Sequence, residues 1–196
     1  MDAWRHRRSA ANEIRSFTDS VMRTAYLGLG SNQGDRPVHL QAAVDGLAAA
    51  SGLRVTDVSP VYETEAHTWT SGETQPAFLN AVVALEVGCS PERLLETAQT
   101  LERAEGRTRT SEQWAPRPLD VDLLSVGTIT CDTDRLTLPH PRLAERRFVL
   151  QPWADIAPDT RVPAPFSASV RDLLDTCTDD AALQRAAATL TLPGGD

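Results

Sequence analysis

Apolar residues follow two spacings along this chain, one typical of strands and the other typical of helices. Strand-like runs cover residues 24–32, 53–63, 78–87 and 119–126. Two segments with helical spacing lie between them, 35–51 and 91–105, with Asp35 and Ser90 at the N-cap positions and a proline in each first turn. The resulting order β-α-β-β-α-β predicts an α+β fold, a ferredoxin-like sandwich with a mainly antiparallel sheet flanked by helices.

The rest of the chain has shorter and weaker patterns. We expect a returning hairpin strand over 129–138, turns over 148–153, and a terminal pair of helices over 170–174 and 181–190. The first 22 residues are polar, carry four arginines and lack the apolar core of a signal peptide. The expected organisation is a disordered extension over 1–22, one folded domain over 23–177 and a partly helical tail over 178–196.

The overall composition is globular, with 41% hydrophobic and 23% charged residues among 196 and no apolar run of membrane-spanning length. A net charge of −8 disfavours binding to nucleic acid or to a membrane surface, which favours small-molecule substrates. The three cysteines are widely spaced and fit neither a disulfide framework nor a structural zinc site. We therefore expect a cytoplasmic protein, and a monomer.

All 19 residues in the lysine and arginine total are arginine. The absence of lysine excludes a P-loop lysine, a Schiff-base lysine and a Ser-Lys dyad. A GC-rich genome produces the same bias through codon usage, so neutral and functional explanations both stay open. In either case, any phosphate must be held by arginine, by backbone or by a metal ion.

The strongest local signal is the segment Arg-Pro-Leu-Asp-Val-Asp-Leu-Leu at 117–124. Because side chains alternate across a strand, Asp120 and Asp122 share one face while Val121 and Leu123 face the core. Their α-carbons are expected ~6.6 Å apart, a spacing from which two carboxylates can hold one Mg2+ or a pair of ions. A solvated strand face with two ordinary acids explains the same pattern.

Arginines flank this pair on both sides. Arg107, Arg109 and Arg117 precede it together with Trp114, and residues 135–147 hold four arginines against one acid. Guanidinium forks match phosphate oxygens bidentately. Paired carboxylates beside cationic donors are the parts that phosphoryl transfer requires.

Five segments occur in an order that is informative. They are Tyr-Leu-Gly-Leu-Gly-Ser-Asn from Tyr26, Gln-Pro-Ala-Phe-Leu-Asn from Gln75, Leu-Glu-Arg-Ala-Glu-Gly-Arg from Leu101, Trp-Ala-Pro-Arg-Pro-Leu-Asp-Val-Asp from Trp114, and Leu-Pro-His-Pro-Arg followed by Arg146, Arg147 and Phe148. In this order they resemble the 6-hydroxymethyl-7,8-dihydropterin pyrophosphokinase family of folate biosynthesis, and the resemblance runs from residue 23 to 177.

The resemblance implies that the pyrophosphoryl group of ATP passes to the hydroxymethyl oxygen of the pterin, leaving AMP. It implies that Asp120 and Asp122 hold two Mg2+ ions bridging ATP phosphates, and that Arg107 and Arg117 neutralise phosphate charge. The implied ATP-binding residues are Gln99, Arg109, Arg135, Thr137, His140 and Arg146. The implied pterin-binding residues are Phe78, Asn80, Glu102, Trp114 and Phe148. A loop over 107–116 is implied to close over both substrates.

Residue chemistry agrees with part of this assignment. A pterin is a flat heteroaromatic with donors and acceptors on its edge, so it needs aromatic faces such as Phe78 and Phe148 and an amide such as Asn80. Asparagine is otherwise unfavourable in a strand flanked by alanine and valine. For Glu102, an exposed helical acid stays open as the alternative explanation.

Two other functions stay open at this point. A Mg-dependent nucleotidyltransferase on a ferredoxin-like fold would use the same Asp pair but attack the α-phosphorus and release pyrophosphate. A non-catalytic ligand-binding domain would carry the two acids only as surface residues. Release of pyrophosphate separates the first from a pyrophosphokinase. The second predicts that Asp120→Ala and Asp122→Ala leave ATP binding unaffected by Mg2+.

Overall fold

The computed structural model describes residues 22–65, 75–107 and 116–194. Within these ranges the fold is the predicted α+β sandwich. The strands are β1 (Arg23–Ser31), β2 (Leu53–Val58), β3 (Tyr62–Thr64), β4 (Phe78–Val87), β5 (Asp120–Val126), β6 (Cys131–Asp132), β7 (Thr137–Leu138) and β8 (Leu183–Arg185). The helices are α1 (Arg36–Ala49), α2 (Pro91–Ala104), α3 (Arg147–Ile156) and α4 (Val170–Thr176), with a 3-10 turn at Leu143–Glu145.

The main sheet has the strand order β5-β1-β4-β3-β8, and β2 also pairs with β4. Every pair in it is antiparallel. Helices α1 and α2 cover one face, where Leu40, Leu47 and Leu94 are fully buried. Helices α3 and α4 cover the other face, where Trp153 and Val170 are fully buried. This arrangement confirms the predicted fold class.

The helix signals in the first half of the chain are confirmed. The Asp35 carboxylate accepts the backbone N–H of Val38 at the start of α1. Ser90 likewise caps α2, its hydroxyl accepting the N–H of Arg93. Gly106 follows α2 with φ +88°, a left-handed conformation that glycine adopts without strain.

The single strand expected over 53–63 is wrong, because two strands occupy this segment. The chain leaves the sheet at Ser59, whose hydroxyl accepts the N–H of Val82 at 2.9 Å, while its own N–H donates to the Val82 carbonyl. Pro60 follows and has no N–H to continue the ladder. The break lets β2 and β3 pair with different parts of β4.

Three predictions in the C-terminal half are also wrong. The segment 129–138 does not pair with β5; instead β6 and β7 form a small sheet of their own. Residues 148–153 belong to helix α3, in which the hydrogen bond lost at Pro152 is offset by burial of Trp153. The tail over 181–190 is not helical, since β8 lies there, paired with the edge of β3. None of the described helices is long and apolar enough to cross a membrane.

Candidate active site

A cavity of about 330 Å³ opens on the face of the sheet that α3 covers. On this face β1, β4 and β5 present apolar side chains under α3, and small or polar ones beyond its N-terminus. The lining includes two glycines, two phenylalanines, an asparagine, two aspartates and four arginines: Gly28, Gly30, Phe78, Phe148, Asn80, Asp120, Asp122, Arg107, Arg117, Arg142 and Arg146.

Two carboxylates stand side by side on β5, as the strand alternation predicts. Asp120 lies opposite Gly30 and Asp122 opposite Gly28 in the pairing with β1. Val121 is buried in the core on the opposite face of the sheet. A Cβ added at Gly30 would lie 3.7 Å from the Asp120 Cβ, so the glycine leaves the space beside this carboxylate open.

Each carboxylate is paired with arginine. Arg107 Nη1 donates to Asp120 Oδ1 at 2.5 Å, and Arg117 Nη1 donates to Asp120 Oδ2 at 3.0 Å. Arg146 Nη1 donates to Asp122 Oδ2 at 2.9 Å. The side chains of these three arginines are 17 to 26% exposed, so they are held in the cavity wall while solvent still reaches them.

Glu102 joins this network from helix α2. Its Oε1 accepts the backbone N–H of Val121 at 2.9 Å and a hydrogen bond from Arg107. The side chain is 12% exposed. Burial raises the pKa of Glu102 to about 7, against the opposing effects of the Val121 N–H and the Arg107 charge. Glu102 is therefore a buried member of the site and not the exposed helical acid that sequence reasoning left open.

The opposite side of the cavity carries Phe78, Phe148 and Asn80, with Glu65 also in its lining. Asn80 Nδ2 donates to the hydroxyl of Thr64 at 2.9 Å, which fixes the amide plane. Asn80 Oδ1 then faces the backbone of Gly30, 3.6 Å from the position of an added Cβ. The Arg146 guanidinium lies 5.8 Å from the centroid of the Phe148 ring, a cation–π distance.

Other predicted site residues do not line this cavity. Gln99 lies on α2, and Arg135 is exposed in the turn between β6 and β7. Thr137 donates to Asp132 within the same small hairpin. His140 is closer, with Nε2 4.0 Å from Asp122 Oδ2, and burial lowers its pKa. Arg109 and Trp114, like most of the predicted closing loop 107–116, lie outside the described residues.

Among the residues that were not predicted for the site, Arg142 lines the cavity, and two more, Asn32 and Arg36, hold the segments around it. Asn32 is fully buried; its Oδ1 accepts the N–H of Arg117 at 2.8 Å, and its Nδ2 donates to the Pro76 carbonyl at 3.4 Å. Arg36 Nη1 bonds both Glu63 Oε1 and the Ala77 carbonyl at 2.7 Å. These contacts bridge segments far apart in sequence. The Gly-Ser-Asn run marks Asn32 as a turn residue but gives no sign of its partners.

The donor set fits a hard divalent cation that is completed by other ligands. Asp120 and Asp122 offer carboxylate oxygens on one strand face, which is the chemistry that Mg2+ prefers. Within the described ranges, no cluster of three or more His, Cys, Asp or Glu side chains is placed to hold a metal. The two carboxylates therefore fit an ion that takes its remaining oxygens from water and substrate phosphate.

An antiparallel α+β sandwich with paired carboxylates among arginines defines a protein suited to handling phosphorylated substrates. Comparison with known proteins is more specific: the family profile of 7,8-dihydro-6-hydroxymethylpterin-pyrophosphokinase (HPPK) matches residues 26–158. The chain belongs to this family.

Curated relatives agree with this assignment. The 2-amino-4-hydroxy-6-hydroxymethyldihydropteridine pyrophosphokinase of Methylorubrum extorquens is 46% identical over 139 residues, which cover 70% of this chain and 85% of the relative. The protein of the same name from Bacillus subtilis is 42% identical, with 67% and 77% covered.

Solved structures share the fold. A crystal structure of Plasmodium falciparum HPPK-DHPS superposes on 81% of this chain with a TM-score of 0.60 at 13% identity. The chain spans less than half of that longer protein, 46% of its length.

Proposed function

We propose that the cavity is the catalytic centre for pyrophosphoryl transfer from ATP to 6-hydroxymethyl-7,8-dihydropterin. The chain is an enzyme of the HPPK family, and the reaction is a step of folate biosynthesis. One observation carries the proposal: a carboxylate pair, four arginines, two phenylalanines and the amide-bearing Asn80 all line the same cavity. Family membership and this pocket disfavour both the nucleotidyltransferase and the non-catalytic domain.

The pterin would occupy the aromatic side of the cavity. Phe78 and Phe148 offer faces for a flat heterocycle. Asn80 supports edge recognition, because one N–H of its Nδ2 is used by Thr64 while its Oδ1 lies near Gly30 of the cavity lining, where it can accept an N–H of the ring. The Thr64 contact fixes this orientation before substrate binds, which lowers the cost of ordering the amide.

The phosphates of ATP would occupy the charged side. Arg107, Arg117 and Arg146 are paired with carboxylates in the structure, and we propose that they turn to phosphate oxygens when ATP binds. Asp120 and Asp122 would hold Mg2+, two ions in our proposal, which supplies charge neutralisation to the phosphates when bound. In the free enzyme the arginine charges are thus balanced by the carboxylates. With substrate bound, the arginines would be balanced by phosphate and the carboxylates by Mg2+.

The transfer itself is a displacement at the β-phosphorus of ATP. A bond forms between the pterin hydroxymethyl oxygen and the β-phosphorus, the bond from that phosphorus to the α-phosphate oxygen breaks, AMP leaves, and the hydroxyl proton is released. The part assigned to this chain is to hold the two substrates in line and to stabilise charge, which is most of what phosphoryl transfer needs. Glu102, through Val121 and Arg107, would support β5 and one of the arginines in this task.

The remaining ATP contacts stay predictions. Gln99, Arg109, Arg135, Thr137 and His140 are assigned to ATP by the sequence resemblance. His140 lies near Asp122, which supports its assignment.

We further propose that the protein works as a monomer in the cytoplasm on small-molecule substrates, without nucleic acid.

The products of the reaction test the proposal. The full chain, incubated with ATP, Mg2+ and 6-hydroxymethyl-7,8-dihydropterin, should form AMP and the pterin diphosphate in equal amounts. Omission of the pterin or chelation of Mg2+ should stop AMP formation. Release of inorganic pyrophosphate, or formation of ADP alone, would contradict the proposal.

A further inference from the structure

The chain after α4 is fixed against elements that form the cavity, and it lies beyond the residues that the family profile matches. β8 pairs with β3, and the N–H of Ala186 donates to the Val61 carbonyl at 2.8 Å. Further on, the amide side chain of Gln41 on α1 bonds the backbone of Thr191 in both directions, at 2.9 and 3.1 Å. The segment 178–194 is therefore joined to the folded domain by backbone and side-chain hydrogen bonds.

At the start of this segment, Asp179 contacts the first turn of α3. Its Oδ2 accepts the backbone N–H of Arg147 at 3.0 Å, and its Oδ1 accepts the N–H of Ala181 at 3.1 Å. The residue at the N-cap position of α3, Arg146, provides no side-chain cap. Asp179 thus satisfies a helical N–H and places negative charge at the positive end of the helix, as a local N-cap residue would.

The turn that Asp179 contacts carries two residues of the cavity. Arg146 and Phe148 flank Arg147 in sequence and both line the cavity, whereas Arg147 is exposed. The direction of the peptide at Arg147 therefore sets where both neighbouring side chains lie. Arg146 in turn holds Asp122, which makes the position of this turn part of the geometry of the carboxylate pair.

We propose that Asp179 is a positioning residue for the pyrophosphokinase reaction: by holding the N–H of Arg147 it fixes the first turn of α3, and with it Arg146 and Phe148 in the cavity. The inference rests on the proposed function, in which these two side chains contact ATP and the pterin. Asp179 itself touches neither substrate, so its effect passes through the helix.

Steady-state kinetics of the full chain carrying Asp179→Ala test whether Asp179 positions Arg146 and Phe148 for substrate binding. We expect the KM for the pterin to rise roughly fivefold, the factor that loss of an N-cap of ordinary strength represents, and the KM for ATP to rise in the same direction. The kcat per folded molecule should change by less than about twofold, because no group that acts on the reacting atoms is lost.

Two matched variants control this result. Asp179→Asn keeps a side-chain oxygen in place and should restore most of the wild-type KM. Asp180→Ala removes the exposed neighbouring acid and should behave as the wild type. Unchanged KM values in Asp179→Ala, or a lower kcat alone that matches a loss of folded protein, would overturn the proposal.

Hydrogen exchange of the α3 amides gives a readout that does not depend on activity. In Asp179→Ala the amides of residues 147–149 should exchange roughly fivefold faster, by the same cap strength, while Asp180→Ala leaves them unchanged. A wild-type chain that makes no AMP contradicts the proposed function alone. In that case, unchanged exchange of the α3 amides in Asp179→Ala would overturn the role of Asp179 as well. Faster exchange would support the proposal that Asp179 fixes the first turn of α3.

Discussion

At the scale of single residues, the carboxylate pair gives the sharpest expectation. Asp122→Asn keeps the size of the side chain but removes half of the paired negative charge. We expect AMP formation to fall by at least about 10²-fold, since metal-assisted charge stabilisation contributes several kcal/mol. Thermal stability should change little, because Asp122 is 37% exposed and a solvated pair with Arg146 contributes little.

A matched acid outside the cavity separates this effect from general loss of charge. Asp134→Asn alters an exposed residue in the turn between β6 and β7, and AMP formation should stay at the wild-type rate. Initial rates measured across a Mg2+ titration check both variants. Wild-type rates in Asp122→Asn at every Mg2+ concentration would show that this carboxylate is not a metal ligand.

Two glycines of β1 provide a second matched pair. A Cβ at Gly30 would meet Asn80 Oδ1 at 3.6 Å, Asp120 Cβ at 3.7 Å and Phe78 Cδ1 at 3.8 Å, which are ordinary contacts but fill the cavity between the pterin side and the carboxylate. A Cβ at Gly28 would meet only the Leu124 side chain. Gly30→Ala should therefore fold normally and raise the KM for the pterin by about tenfold, the lower range of one lost polar contact, with a smaller effect for Gly28→Ala.

Thermal melts and steady-state assays of the two glycine variants check this contrast. Equal KM values for the pterin in both would mean that the pterin lies elsewhere in the cavity.

The residues of the site also show what could be predicted from sequence at this scale. Strand alternation is local, so Asp120 and Asp122 could be placed on one face from sequence. The contacts of Asn32 could not, because Arg117 lies 85 residues away.

At the scale of elements, a hydrogen bond joins strand β3 to helix α3. The hydroxyl of Tyr62 donates to Asp155 Oδ2 at 2.6 Å. Burial, with smaller contributions from Asp155, raises the pKa of Tyr62 to about 12. Because this folded-state pKa exceeds the ordinary value near 10, the stabilisation is present below pH 10 and is lost as the pH rises from 10 to 12.

Tyr62→Phe tests that link. We expect a loss of about 0.5 kcal/mol at pH 7, the low end for a hydrogen bond because solvent reaches the pair. Above pH 10 the stability of the wild type should fall more steeply than that of the variant. The chain has no lysine and two tyrosines, so few other groups titrate there. Urea midpoints at pH 7, 10 and 12 check this, and parallel profiles would contradict it.

Element prediction succeeded where a local signal decides the structure. Ser90 and Gly106 bound α2 because a cap and a left-handed turn act over a few residues. Helix α3 was missed because Pro152 is a local signal against a helix, while the burial of Trp153 that outweighs it is a tertiary effect. The helix that carries Phe148 therefore could not be placed from sequence, although Phe148 itself could be assigned.

At the scale of the whole molecule, the contacts of the C-terminal segment bear on the domain boundary expected from sequence. Residues 181–190 are rich in alanine and leucine, which favours a helix. A helix of ten residues is marginal alone, and the edge of β3 offers unpaired backbone groups that β8 satisfies instead. Ala186 and Leu190 then pack against the main core. The sheet thus takes up a segment that would otherwise be a tail.

Truncation after Cys177 tests this larger domain. Loss of the β8 pairing and of the partly buried Leu190 should cost roughly 3 kcal/mol, which lowers the Tm by about 6 to 12 °C for a domain of this size. Truncation after Gly194 removes only the last two residues and should leave the Tm unchanged. Scanning calorimetry of both forms checks the comparison. If the shorter form melts with the full chain, segment 178–194 adds nothing to the fold. If the shorter form melts at a lower temperature, the folded domain extends past residue 177. Strand β3, which ends at Thr64, is then stabilised by β8, which lies beyond the residues that the family profile matches.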